Sequence, residues 1–404
     1  MQTALPAAFT ATRAGKRAEE ILRACVHCGF CNATCPTYQL TGDELDGPRG
    51  RIYLIKAALE DERVSPVTVR HLDRCLTCRA CETTCPSGVA YGELAEIGRH
   101  YAEENGRRGV LDRFVRAALV WMIPHRGRFR FFARLGHAFR RLLPERLASA
   151  VPAPQPRLPW PRPAVDAPQR VILLEGCVQS VATPGVNRAF ARLLAGMGVE
   201  AVRVNDEACC GSLALHLGHE ATARRHMTQN AIELLRHSSD VEAIVSTASG
   251  CGVTVKDYAR HLADSPAVIA ASWVAAQTLD AAEYLLRYVD RVPKTARPLR
   301  VAFQSPCSLQ HGSQVRGAVE TLLERAGHTL VPVEDAHLCC GSAGTYSVLQ
   351  AELANALRAR KLAALTAARP DVVVSANVGC TLHLAAASNV PVKHWIEILS
   401  PEET

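Results

Sequence analysis

CVHCGFCNATCP, residues 25–36, and CLTCRACETTCP, residues 75–86, decide how this chain is read. Both stretches are C-x2-C-x2-C-x3-C-P, the spacing that holds [4Fe–4S] clusters. Three thiolates with two residues between neighbours can reach three irons of one cube from a single tight loop. The fourth is carried off by the next turn, stopped by proline, and ligates the other cluster. The expected ligand sets are therefore Cys25, Cys28, Cys31 and Cys85 for cluster 1, and Cys75, Cys78, Cys81 and Cys35 for cluster 2. A zinc site needs only four ligands and has no use for a third close cysteine or the Cys-Pro ending. The pattern points to electron transfer.

Around these loops the chain reads as helical. Arg13 to Leu22 looks like a helix feeding the first loop, and Arg49–Glu62 (RGRIYLIKAALEDE) carries apolar residues at helical spacing. Residues 15–105 should thus form a ferredoxin-type domain with its two clusters between helices. Sixteen cysteines would suggest disulfides in a short secreted chain, but this one has 404 residues, enough for two to four domains. Met1 to Ala14 lacks a basic start followed by a clean apolar core, so thiols held by metal in a reducing compartment are expected. No run of 18 apolar residues occurs to span a membrane.

The net charge of +7 is unevenly placed. Eleven arginines lie between Arg107 and Arg146, interleaved with Phe114, Trp121, Phe129, Phe131, Phe132 and Phe139. Residues 106–150 read as a basic helical connector. It is either a solvated surface or subunit interface, or an amphipathic contact with anionic lipid headgroups. No nucleic-acid-binding motif accompanies the charge, so nucleic acid is not an expected partner. Val151 to Pro168 holds seven prolines in eighteen positions, which makes 151–169 a semi-rigid linker.

Beyond the linker a unit of about 130 residues is repeated. The first copy, 170–290, has Cys177, Cys209-Cys210-Gly211 and Cys251; the second, 298–400, has Cys307, Cys339-Cys340-Gly341 and Cys380. From first cysteine to pair is 32 residues in both. Each copy reads as three strands alternating with helices: Arg170–Glu175, Ala201–Asn205 and Ala243–Ser246, then Arg300–Gln304, Thr329–Val333 and Asp371–Ser375. That order implies a short parallel sheet covered on both faces. The fold class is mixed α and α/β, a helical two-cluster domain followed by two α/β repeats. Every repeat cysteine follows a strand, and ligands bind at that edge of open parallel sheets. Four thiols should converge at one point per copy, with a helix starting directly after each Cys-Cys-Gly. Adjacent cysteines suit one zinc poorly, leaving iron–sulfur ligation or redox thiol chemistry, with metal ahead.

The repeat resembles the CCG domain of heterodisulfide-reductase-type proteins, and the whole chain resembles the iron–sulfur subunits of bacterial glycolate oxidases. The residues that carry the second likeness are Gly47–Lys56 (GPRGRIYLIK), Thr247–Tyr258 (TASGCGVTVKDY), His337–Gln350 (HLCCGSAGTYSVLQ), Ala376–Leu384 (ANVGCTLHL) and Pro391–Glu397 (PVKHWIE). What the resemblance implies is a relay subunit. Flavin sits on partner glycolate oxidase subunits that oxidise glycolate to glyoxylate, and this chain carries electrons to the quinone pool. The location so implied is cytoplasmic, with peripheral contact at the cytoplasmic face of the inner membrane. Heterodisulfide-reductase CCG domains end in C-x-x-C. Here Thr254 and His383 stand where the fifth cysteines would be. Four thiols per copy suffice for one further cluster in one or both copies, and His383 is a candidate substitute ligand.

No G-x-G-x-x-G or other flavin or nicotinamide signature occurs, which places substrate oxidation on a partner. Lactate and glycerol 3-phosphate dehydrogenases share the architecture and are the alternative complexes. A thiol–disulfide catalyst built on the CCG sites is an alternative of another class, and a cluster-based sensor a third.

Overall fold

The computed structural model describes residues 1–142, 151, 155, 160, 161 and 169–400. The proline-rich linker lies almost wholly outside the described residues. The N-terminal part is helical. Thr12 caps Arg13–Ala24 by accepting a bond from the Gly15 amide, and this helix delivers Cys25 as its first residue past the end. Proline in the first turn opens Pro48–Glu60, and Ser65 caps Pro66–Asp73. With Tyr91–Asn105 they bury Leu22, Ile55, Leu59, Leu72 and Leu94 in one core beside the cysteine loops.

The repeats form two parallel four-stranded sheets among the described residues. The first has β1 (Gln169–Leu174), β2 (Val199–Val202), β3 (Ala243–Ser246) and β4 (Thr278–Asp280), in the order β2-β1-β3-β4. The second has β5 (Arg300–Gln304), β6 (Thr329–Leu330), β7 (Val372–Ser375) and β8 (Val392–His394), in the order β6-β5-β7-β8. Val171 pairs with Ala243, and Val301 with Val372. Three strands per copy were expected, and each sheet gains a fourth at its edge. Strands of three residues, TLD and VKH, are too short to show a period-2 pattern. Each is marked instead by the start of the next helix, where Asp280 with Glu283, and His394 with Glu397, close a capping box.

Alternate residues of each central strand enter different cores. Val171 and Leu173 of β1 share a single core with Val301 and Phe303 of β5, filled by Phe190, Tyr284, Leu322 and Trp395. Ile172 and Ile244 face the other way, onto Met227 and Leu234. Ala302 and Val373 likewise face Leu365 and Leu384. The two repeats are therefore one body, joined back to back through helices.

The basic segment forms the helices Val110–Met122 and Arg126–Ala138. Not all of its arginines face outward. Arg108 and Arg116 bind Asp73 at 2.6 and 2.8 Å, and Arg126 binds Glu175 and Glu207 at 2.8 and 3.0 Å. These pairs fasten the helices to the N-terminal part and to the first repeat. Among the described residues no helix is long and apolar enough to cross a membrane.

Trp395 is fully buried where the two repeats meet. Trp395→Ala should cost about 3–5 kcal/mol and lower the chemical-denaturation midpoint. An unchanged midpoint would show that the repeats hold separate cores.

Candidate functional site

The two ferredoxin-type loops share one backbone shape. His27 and Gly29 in the first, and Thr77 and Arg79 in the second, all take left-handed φ values of 53–84°. These are equivalent positions, two and four residues after the first cysteine. Only repeated left-handed turns curl so short a loop about one centre, and this strain is held by the helices on either side. Cys25, Cys28, Cys31 and Cys85 line one hollow together with Cys81, so the second run's third and fourth cysteines both reach the first loop. Burial, then Cys25, Cys85 and Cys28, push the Cys31 thiol up to about 11. Cys35 in turn stands among Cys75, Cys78 and Cys81, raising the thiols of Cys78 and Cys81 along with burial.

The surroundings of the two groups differ. Cys28 is exposed, and Val26, Phe30 and Tyr53 around that loop are exposed apolar residues. Cys75 is buried and receives the Thr77 amide at 3.4 Å and the Tyr91 hydroxyl at 3.5 Å. Burial pushes its thiol up, but the Arg51 and Arg99 guanidiniums outweigh burial and bring it below the ordinary value. Arg51 is 1% exposed and donates to His71 O at 2.7 Å and to the Thr37 hydroxyl. Behind it Asp46, fully buried, accepts from Arg74 at 3.0 Å and lies 2.7 Å from His71 Nδ1. Hydrogen bonds and charges at the sulfurs, and exposure to water, are among the factors that set a cluster's potential, and the two groups differ in each. Sequence reading passed over Arg51, although GPRGRIYLIK places this arginine among the buried positions of its helix.

In the first repeat Cys177 follows β1 through Gly176, and its sulfur lies 3.4 Å from that of Cys209. Cys251 sits in the first turn of Ser249–Lys256, after β3. In the second, Cys307 and Cys339 sulfurs are 3.9 Å apart, and Cys380 in Val378–Ala385 accepts from Asn377 Nδ2 at 3.6 Å. Gly211 and Gly341 have φ near 90°, and a Cβ at Gly341 would stand 2.6 Å from Ala354 O. Only glycine turns the chain there. A helix follows Gly211 directly, Ser212–His216, as expected. After Gly341 it does not. Ala343 and Gly344 take left-handed turns, and the helix starts only at Tyr346.

Hydrogen bonding to Cys209 and to Cys339, with burial, drives the thiols of Cys177 and Cys307 well up. Buried thiols so close resist ionising unless a cation replaces their protons, and this donor set fits an iron–sulfur centre.

The expectation of one convergence point per copy is exceeded, because both points face one cavity of about 470 Å³. Its wall includes all eight repeat cysteines and also Cys78 of the N-terminal part. The Cys251 and Cys380 turns meet there, Ser249 N donating to Ala376 O at 3.1 Å and Gly250 N to Asn377 Oδ1 at 3.3 Å. His383 also lines it. Burial brings its imidazole down to about 4, and Nε2 donates to Ala354 O at 3.2 Å, which leaves Nδ1 without a proton. Cys78 packs with Cys307, Cys339 and Tyr346, whose hydroxyl donates to Arg74 O at 3.1 Å.

Comparison with known proteins agrees with this arrangement. A 4Fe-4S dicluster domain matches residues 21–89, and a cysteine-rich domain matches 171–256 and 301–385. The "Glycolate oxidase iron-sulfur subunit" of Escherichia coli (strain K12) is 44% identical over 99% of this chain and 98% of its own length. The chain belongs to the glycolate oxidase iron–sulfur subunit family. A second family member, the "Probable glycolate oxidase iron-sulfur subunit" of Bacillus subtilis (strain 168), is 32% identical over 89% of this chain and 87% of its own. "Lactate utilization protein A" of Geobacillus kaustophilus (strain HTA426) is 26% identical, over 57% of this chain and 98% of its own. As a glycolate oxidase iron–sulfur subunit, the chain carries two [4Fe–4S] clusters in its N-terminal domain, followed by the two cysteine-rich repeats.

Proposed function

We propose that this subunit relays electrons from a flavin-bearing partner, which oxidises glycolate to glyoxylate, toward the quinone pool. The observation that carries the reading is a continuous series of cysteine groups. It starts at the exposed Cys28, passes through Cys35 and Cys75 to Cys78, and reaches Cys307 and Cys339 in the second repeat. Exposed Val26, Phe30 and Tyr53 beside the first group give the flavin partner an apolar place to dock. Cluster 1 takes Cys25, Cys28, Cys31 and Cys85, and cluster 2 takes Cys75, Cys78, Cys81 and Cys35. Cys307, Cys339, Cys340 and Cys380 hold a further cluster, with His383 Nδ1 a candidate ligand. Cys177, Cys209, Cys210 and Cys251 form the equivalent site of the first repeat. Helices 110–138 give peripheral contact with the cytoplasmic face of the membrane.

The purified chain alone should show no glycolate-dependent dye reduction, and activity should appear when the flavin subunit is added. Turnover by the chain alone, free of flavin, would falsify the relay reading. The crossed ligand sets have their own check. Cys35→Ser should remove the EPR signal of the cluster held by Cys75, Cys78 and Cys81; loss of the Cys25 cluster's signal instead means the sets are uncrossed. Replacing Cys339 and Cys340 together with Ser should remove about four irons per chain while both ferredoxin-type signals persist. Full iron content with lost turnover would mark that copy as a thiol site instead.

A further inference from the structure

We propose that a lipid-borne quinone is reduced in the cavity between the two repeats, in the space beside the clusters that the repeat cysteines hold, and that it is reached past Ile123 and Phe129. This rests on the relay reading, and adds the acceptor's binding site to it. The lining of the cavity mixes two chemistries. Leu213, Val253, Val348, Leu382, Ile123 and Phe129 are apolar. Arg79 and Arg260 are cationic and held by carboxylates. Arg260 donates to Glu96 at 3.0 Å and to Asp257 at 3.3 Å, and Arg79 lies 3.7 Å from Asp257. A flat apolar ring that ends in two hydrogen-bond-accepting carbonyls satisfies both at once. A small hydrophilic acceptor would leave the apolar residues uncovered, and a hydrocarbon would make no use of the polar ones.

Ile123 and Phe129 tie this cavity to a surface. They flank the turn between the helices Val110–Met122 and Arg126–Ala138, and the same helices expose Phe114 at 70%, Trp121 at 51% and Phe131 at 61%. Trp121 meets Phe132 edge-on at 6.0 Å, and Phe132 meets Phe131 at 5.3 Å, so the two helices present one aromatic face. Arg128 lies 4.4 Å over the Trp121 ring, and Arg113 and Arg134 are exposed on the same pair. An aromatic face bordered by arginines is complementary to an anionic bilayer surface, with the rings among acyl chains and the guanidiniums at phosphates. Seated that way, the helices put Ile123 and Phe129 of the cavity lining next to the lipid in which a quinone is dissolved.

The chemistry balances with what the relay supplies. Glycolate gives up two electrons and two protons on the flavin partner. The electrons pass singly through the clusters to the cavity, and two protons come from water. The quinone's two C=O groups become C–OH, with no bond formed to the protein.

The test uses the complete complex with its flavin partner, on vesicles rich in phosphatidylglycerol. Glycolate-dependent reduction is followed with a hydrophilic dye and with a short-chain ubiquinone, and an azidoquinone is used as a photolabel. The label should fall on peptides that contain residues 123–129 or 342–348 and be displaced by unlabelled quinone. Ile123→Trp should narrow the passage and raise the quinone KM at least about fivefold, with iron content reporting its fold. Val348→Trp, on another helix, should do the same if Ile123→Trp misfolds. Labelling confined to other segments overturns the proposal, as does displacement by a small disulfide but not by quinone. A complex that reduces dye yet neither reduces nor binds quinone overturns it while the relay stands. One that reduces neither acceptor overturns the relay itself.

Discussion

Cys78 of the N-terminal domain packs against Cys307 and Cys339 of the second repeat, and the fold is arranged to keep them there. Electron transfer falls off steeply with distance, so this contact between distant parts of the chain is the shortest approach described between the N-terminal cysteines and those of the second repeat. The contact is held from several sides. Tyr346 donates to Arg74 O at 3.1 Å, Thr83 meets His311 Nδ1 at 3.1 Å, and Arg360 donates to Gln39 at 2.8 Å. On the side of the first repeat, Arg260 binds Glu96 and Arg13 donates to Arg260 O at 2.8 Å. Most of these are partly exposed bonds worth little singly. Distributed around one joint, they fix its geometry without demanding a large apolar interface.

Charge sets the next constraint. Thiolate-held clusters are anionic, and burying them is expensive unless cations stand close. Arg51 and Arg99 meet that need at Cys75, and Arg51 is kept in register by Asp46, His71 O and Thr37. The group nearer the surface, with exposed Cys28, has water for the same purpose. The two groups thus differ in how their charge is met, one by solvent and the other by buried guanidiniums.

Much of this was legible in the sequence because it is local. Cluster loops depend on spacings within twelve residues, and the dicluster domain is read directly from C-x2-C-x2-C-x3-C-P. The repeat was legible through its equal 32-residue intervals, and the sheets through apolar runs such as RVILL and DVVVS. What stayed hidden depends on how finished elements meet. No spacing tells that the edges of two sheets face one cavity, since that follows from a core shared by Val171, Phe303 and Trp395. Nor does composition tell which arginines of 107–146 turn inward. Arg108, Arg116 and Arg126 do so only because Asp73, Glu175 and Glu207 are brought beneath them.

Duplication made the two repeat sites alike in layout, yet the charged groups beside them differ. Beneath the first pair of cysteines the loop is held by neutral Asn230, which donates to Cys209 O at 3.0 Å. The carboxylate of Glu207, accepting the Glu175 and Gly176 amides at 2.8 and 3.0 Å and paired with Arg126 at 3.0 Å, lies beside Cys177. Beneath the second pair stands Lys361, 3% exposed, its ammonium donating at 3.0 Å to Asp335 O and Ala336 O and sensing Cys339 and Cys340. A cation stabilises added negative charge and a carboxylate opposes it. The site with the lysine is the one beside which Cys78 stands. Repetition therefore supplies the common cavity, and divergence of a few buried charges makes its two sites unlike.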